Sequence, residues 1–168
     1  MPLKANPDSL GFMMTETARL LRVAFERRIA EVGLDITPAE ARTLVYVAAG
    51  EGSRQNVIAE RMGVEPMTVC AYLDRLEKLN LIARCPDPND RRAKNVRTTD
   101  EADRMILSVR QQTSELFDQV QVGIEPETRK IFLETLKSIR DNLHLLINDR
   151  PLPERHADEA AADGSAAL

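Results

Sequence analysis

At 168 residues the chain has room for one core, or for one core with an oligomerisation element attached. Its 43% hydrophobic and 30% charged residues fit a soluble globular protein, and a net charge of −4 argues against a bulk nucleic-acid coat. No apolar run approaches the roughly 18 residues of a membrane span.

The opening stretch MPLKANPDSL lacks the apolar centre of a secretion signal, so a cytoplasmic protein is expected. Cys70 and Cys85, in no metal-binding spacing, agree with a reducing compartment.

From residue 9 to 32 the spacing predicts a first helix. Leu10, Met13, Met14, Ala18, Leu21, Phe25 and Ile29 form an apolar stripe that Leu20, Val23, Ala24 and Val32 widen. Gly33 is placed to end it in a left-handed conformation. A stripe this wide suits burial on more than one side, as in a subunit interface.

Thr37-Pro38-Ala39-Glu40 opens a second helix, with Thr37 as N-cap, Pro38 at the first helical position and Glu40 completing a capping box. Leu44, Val45, Val47 and Ala48 supply its core face, and Gly50 and Gly52 close it. A short third helix follows, capped by Ser53, burying Val57, Ile58, Ala59 and Met62, and stopped by Gly63. Glu65-Pro66 starts the fourth, whose buried face is Val69, Leu73, Leu76 and Leu79; Asn80 stands at its left-handed C-cap.

Two extended arms, Leu81–Cys85 and Asn95–Thr98, flank a turn of Pro86, Asp87, Pro88, Asn89 and Asp90, followed at once by Arg91, Arg92 and Lys94. Between Arg84 and Arg97 five basic residues face two acidic ones. A short helix, a tight turn, a longer helix and then a basic hairpin is the order of a winged helix-turn-helix, and charge focused on the hairpin suits a specific polyanion contact.

Thr99 caps a fifth helix, with Asp100 and Glu101 in its first turn, running through Met105, Ile106, Val109, Leu116, Phe117 and Val120 to Gly123. Glu125-Pro126 opens a sixth that is apolar along Phe132, Leu136, Ile139, Leu143 and Leu146, and on a second side along Ile131, Leu133, Leu145 and Ile147. One small winged lobe cannot cover helices one, five and six, so a symmetric homodimer is expected. The fold class is mainly α with a small β-hairpin wing, in four parts. Residues 1–36 and 101–149 form the dimerisation region, 37–100 the winged lobe, and 150–168 a disordered tail.

The run VIAERMGVEPMTVCAYLDRLEKLNLIARCPDPNDRRAKNVRTTDEA resembles the MarR/SlyA family of bacterial regulators, most specifically at Leu73–Glu77 and in the wing DPNDRRAK. The resemblance runs from about Thr37 to Ala102, and the helix order extends it to about residue 148. It implies a winged helix-turn-helix dimer on a pseudo-palindromic operator in double-stranded DNA, usually acting as a repressor. Many members release DNA on binding a small phenolic or otherwise lipophilic compound, or on cysteine oxidation.

Carried over residue by residue, Asp90 and Arg92 occupy the family's Asp-x-Arg wing motif: Asp90 orients the wing and Arg92 enters the minor groove. A narrow groove concentrates negative potential, and a guanidinium is cheaper to desolvate than an ammonium. Arg91 and Lys94 become phosphate contacts, which carry affinity and salt dependence. The fourth helix matches the recognition helix and offers Pro66, Met67, Thr68, Ala71, Tyr72 and Arg75, with Thr68 and Arg75 able to hydrogen-bond bases or phosphates. Ser53, Arg54 and Gln55 add backbone contacts at the start of the third helix.

Ala at 71, where close relatives often carry a cation, and Cys at 70 make this helix apolar for a groove reader and shift weight to the wing. Cys70 and Cys85 read either as packing thiols or as a redox switch, and the first helix lacks the cysteine of the family's peroxide-sensing branch. Met13 and Met14 read as core or as lining of an effector cavity. A third reading is a winged-helix protein-interaction module without DNA binding. His144 and His156 stand alone, no metal cluster, phosphate loop or nucleophile constellation is present, and no enzyme is expected.

Overall fold

The computed structural model describes residues 6–90 and 92–152. Arg91, His156 and all but the first residues of the expected tail lie outside them. Six helices and three short strands follow in the order α1 (Leu10–Val32), α2 (Pro38–Ala49), β1 (Ser53–Arg54), α3 (Gln55–Met62), α4 (Pro66–Lys78), β2 (Ile82–Pro86), β3 (Lys94–Thr98), α5 (Ala102–Val120) and α6 (Pro126–Ile147). The chain divides into two compact units, Met1–Val120 and Gln121–Leu168.

In the first unit the helix boundaries follow local chemistry. Gly33 ends α1 at φ 69°, and Thr37 opens α2 with a reciprocal box: its hydroxyl accepts from the Glu40 amide at 3.2 Å, and its own amide donates to Glu40 Oε2 at 2.8 Å. Gly63, at φ 65°, makes the turn between α3 and α4, and Asn80, at φ 57°, turns the chain from α4 into β2.

The core of this unit is aliphatic. Ile29, Leu44, Val47, Ile58, Val69, Leu73, Leu76, Ile82, Val96 and Val109 are buried, so one residue or more from each of α1 to α5, β2 and β3 meets in one cluster. Arg28 ties α1 to α5 through Gln112 at 2.9 Å and through Glu115.

Several expectations need correction. Ser53 does not cap α3; it pairs with Val96 as the short strand β1, which joins the hairpin into a three-stranded antiparallel sheet ordered β1-β3-β2. Two residues are too short for an alternation signal, which is why the strand was invisible. Thr99 does not cap α5 either: its hydroxyl donates to the Asn80 carbonyl at 2.6 Å, and the helix begins at Ala102 after a turn through Asp100 and Glu101. Val45 and Val57, expected in the core, are exposed, and Ala41 and Thr43 are buried beside Leu44 instead. Lys94 belongs to β3, opposite Pro86, not to the turn.

The described part of the second unit is the helix α6 with the turns on either side of it. None of the residues of α6 is buried, and Ile131, Phe132, Leu133, Leu136, Leu143, Leu146 and Ile147 are exposed. No helix among the described residues is long and apolar enough to cross a membrane.

Candidate nucleic-acid interface

Helix α4 buries Val69, Leu73 and Leu76 at spacings of four and three, which turns the opposite face outward. On that face Pro66, Met67, Thr68, Ala71 and Arg75 are exposed and Tyr72 is half-buried. Glu65 is the N-cap residue without a side-chain cap bond, and the helix rises from it straight into this surface.

The hairpin that follows is fastened at stem and tip. At the stem, Arg84 on β2 reaches back to α4, donating to Asp74 Oδ1 at 2.6 Å and to Glu77. Burial opposes the charge of this guanidinium, and the two carboxylates more than offset that, so its pKa moves up. One half-buried cation therefore faces two acidic groups of α4.

At the tip, Asp87 and Asp90 build the turn. The Asp87 amide donates to the Ala93 carbonyl at 3.0 Å and the Ala93 amide to the Asp90 carbonyl at 2.9 Å, closing the loop. Asp87 Oδ1 accepts from the Asn89 amide at 2.8 Å, and Asp90 Oδ1 from the Arg92 amide at 3.0 Å. Both aspartates also meet Arg54, whose Nη2 lies 2.9 Å from Asp87 Oδ2 and 3.5 Å from Asp90 Oδ2. The Asn89 amide, and after it the Arg54 guanidinium, hold the Asp87 carboxyl below its ordinary value.

Arg92 is exposed at the tip, and no described carboxylate pairs with it. Arg54, Gln55, Arg92 and Lys94 share one open groove of about 610 Å³ with Cys70 and Asp74 of α4. Of the other expected residues, Thr68 faces a separate hollow at the helix turn, lined by Glu60, Gly63 and Glu65, and Ser53 lies in the sheet. Sequence reasoning missed the roles of Arg84 and Asp87; their partners lie on other elements, beyond local pattern.

Cys70 is half-buried with its sulfur 3.9 Å from Asp74 Oδ2, and Cys85 is half-buried on β2 opposite Asn95. The guanidinium next in sequence to Cys85 is turned to α4. Met13 is exposed and Met14 half-buried. Among the described residues no group of three or more His, Cys, Asp or Glu could hold a metal ion.

Comparison with known proteins places this lobe. Residues 34–93 match the model of the MarR family. Over 68 residues the chain is 41% identical to the HTH-type transcriptional repressor MdtR of Bacillus subtilis (strain 168), a stretch that takes in 40% of this chain and 44% of that protein, so the match spans less than half the relative's length. Among solved structures, a crystal structure of MarR is similar at a TM-score of 0.72 and 20% identity, over 88% of this chain and 99% of that one. The transcriptional repressor CouR bound to a 23-mer DNA duplex is similar at 0.63 and 25% identity, over 83% and 99%. CouR from Rhodococcus jostii RHA1 bound to p-coumaroyl-CoA is similar at 0.61 and 25%, over 82% and 95%.

Proposed function

We propose that the protein, whose residues 34–93 match the MarR family model, is a dimeric, DNA-binding transcriptional repressor released by a small-molecule effector. The observation that carries DNA binding is the tip of the wing. Asp90 fixes the Arg92 backbone, and the Arg92 side chain stands exposed without a carboxylate partner among the described residues. A guanidinium displayed in that way is suited to a narrow minor groove. Pro66, Met67, Thr68, Ala71, Tyr72 and Arg75 of α4 face the major groove, and Lys94, with Arg91, takes phosphates.

Dimerisation is supported by apolar surface. Helix α6 presents Phe132, Leu136 and Leu143, and α1 presents Leu10, Met13 and Leu20, all exposed in one copy. Two copies related by a twofold axis would set their recognition helices in successive major grooves of a pseudo-palindromic operator, about one helical turn apart. The effector belongs to the phenolic or lipophilic class; the p-coumaroyl-CoA complex of CouR supports that class for this chain. An effector that binds better to a conformer with misplaced recognition helices shifts the population off DNA.

The test is operator binding by Arg92→Ala, on fragments enriched by the purified protein. Affinity is expected to fall by about 1–3 kcal/mol with the fold intact. Unchanged affinity at moderate salt would remove the wing from the interface.

A further inference from the structure

Arg54 occupies the N-cap of α3, at φ −71° and ψ 150°, and makes no side-chain cap bond. A cap must accept from the orphan amides of the first turn, and a guanidinium has only donors. The position therefore holds a residue that cannot do the local task. Its side chain goes elsewhere, to a turn 33 residues further along the chain.

There it meets two carboxylates. Nε and Nη2 lie 3.0 Å and 2.9 Å from Asp87 Oδ2, and Nη2 lies 3.5 Å from Asp90 Oδ2. Each aspartate divides its oxygens in the same way. Oδ1 holds a backbone amide of the turn, Asn89 for Asp87 and Arg92 for Asp90, and Oδ2 is presented to Arg54. The Asp87 side chain is only 10% exposed beneath this contact. The Arg54 backbone is itself fixed, paired with Asn95 across the β1–β3 ladder. Among the described residues no other side chain from outside the hairpin bonds to either aspartate.

We infer that Arg54 is a positioning residue for Arg92, holding the wing turn through Asp87 and Asp90, and is not itself a phosphate contact. Arg54 also offsets two negative charges that would otherwise face the DNA backbone. This role rests on the DNA-binding reading above, and it replaces the phosphate contact expected for Arg54 from its place at a helix start.

Arg54→Ser separates the alternatives, because serine restores a capping acceptor to α3 while removing the clamp. In the DNA-free full chain, hydrogen exchange at the Asn89 and Arg92 amides is expected to quicken by about fivefold, with no loss of thermal stability. Operator affinity falls in Arg54→Ser, and in the Arg92→Ala background the same change costs nothing further, since Arg54 acts through Arg92. Additive losses with unchanged wing exchange would overturn the inference and make Arg54 an independent phosphate contact. Unchanged exchange together with unchanged affinity would also overturn it. Failure of the DNA-binding reading itself shows differently, as wild-type protein that retains no DNA fragment whatever the wing amides do.

Discussion

At the scale of single residues, the wing is a set of carboxylate–amide bonds, and it is sensitive to acid for that reason. The Asp87 carboxyl is depressed from 3.8 first by the Asn89 amide and then by Arg54. A depressed carboxyl stabilises the folded turn fully above its ordinary value, and the contribution is lost as pH falls below 3.8 through the folded pKa. An NMR titration of Asp87 should therefore show a midpoint below the ordinary value in wild type. In Arg54→Gln it should return only part of the way, because the Asn89 bond remains; a midpoint unmoved by the substitution would mean that Arg54 does not hold the charge. Lys94 makes a different prediction. Exposed on β3 and lining the groove, it should contribute about one unit to the slope of log affinity against log salt, read by comparing Lys94→Ala with wild type over a salt series. An unchanged slope would take it off the phosphates.

At the scale of elements, capping signals were the most legible part of the chain. The Thr37–Glu40 box, the Gly33 stop and the left-handed Asn80 were all evident because each is a local contract between neighbouring residues. Thr37→Ala should cost about 1 kcal/mol in thermal or denaturant unfolding. At Gly63 a Cβ would meet nothing within 4 Å, yet φ is +65°, so Gly63→Ala should cost roughly 1–2 kcal/mol from backbone conformation alone. A smaller loss in urea unfolding would show that the turn relaxes. The misreadings were of another kind. Ser53 and Thr99 have the side chains of N-caps, and non-local pairing overrides them: Val96 recruits Ser53 into a strand, and the Asn80 carbonyl takes the Thr99 hydroxyl. The same limit hid the clamps of the wing. Arg84 finds Asp74 and Glu77, and Arg54 finds Asp87, across 7 to 33 positions of sequence, where composition carries no record of contact.

At the scale of the molecule, the apolar periodicity of α6 was plain in the sequence, and it was the ground for expecting a second copy to cover it. A helix with Phe132, Leu136, Leu143 and Leu146 exposed leaves a surface that water disfavours and a second copy would bury. Sedimentation should give twice the 18.8 kDa of one chain, and Phe132→Asp with Leu136→Asp should shift the mass toward one chain and weaken operator binding. A variant that stays dimeric would place the interface elsewhere. The resemblance to MarR-type regulators already carried the wing order and the Asp90-x-Arg92 spacing, because those depend on residues close in sequence.

The two-residue strand β1 has a consequence for anyone who exchanges wings between related winged-helix proteins. Its partner Asn95 lies in the hairpin, and its own Arg54 grips the tip, so the portable cassette is discontinuous. Grafting residues 82–98 alone would transplant the blade without its handle. A working chimaera has to bring positions 53–54 along, and a change in chain length between Gly50 and Gln55 would re-aim the wing without touching a residue of it.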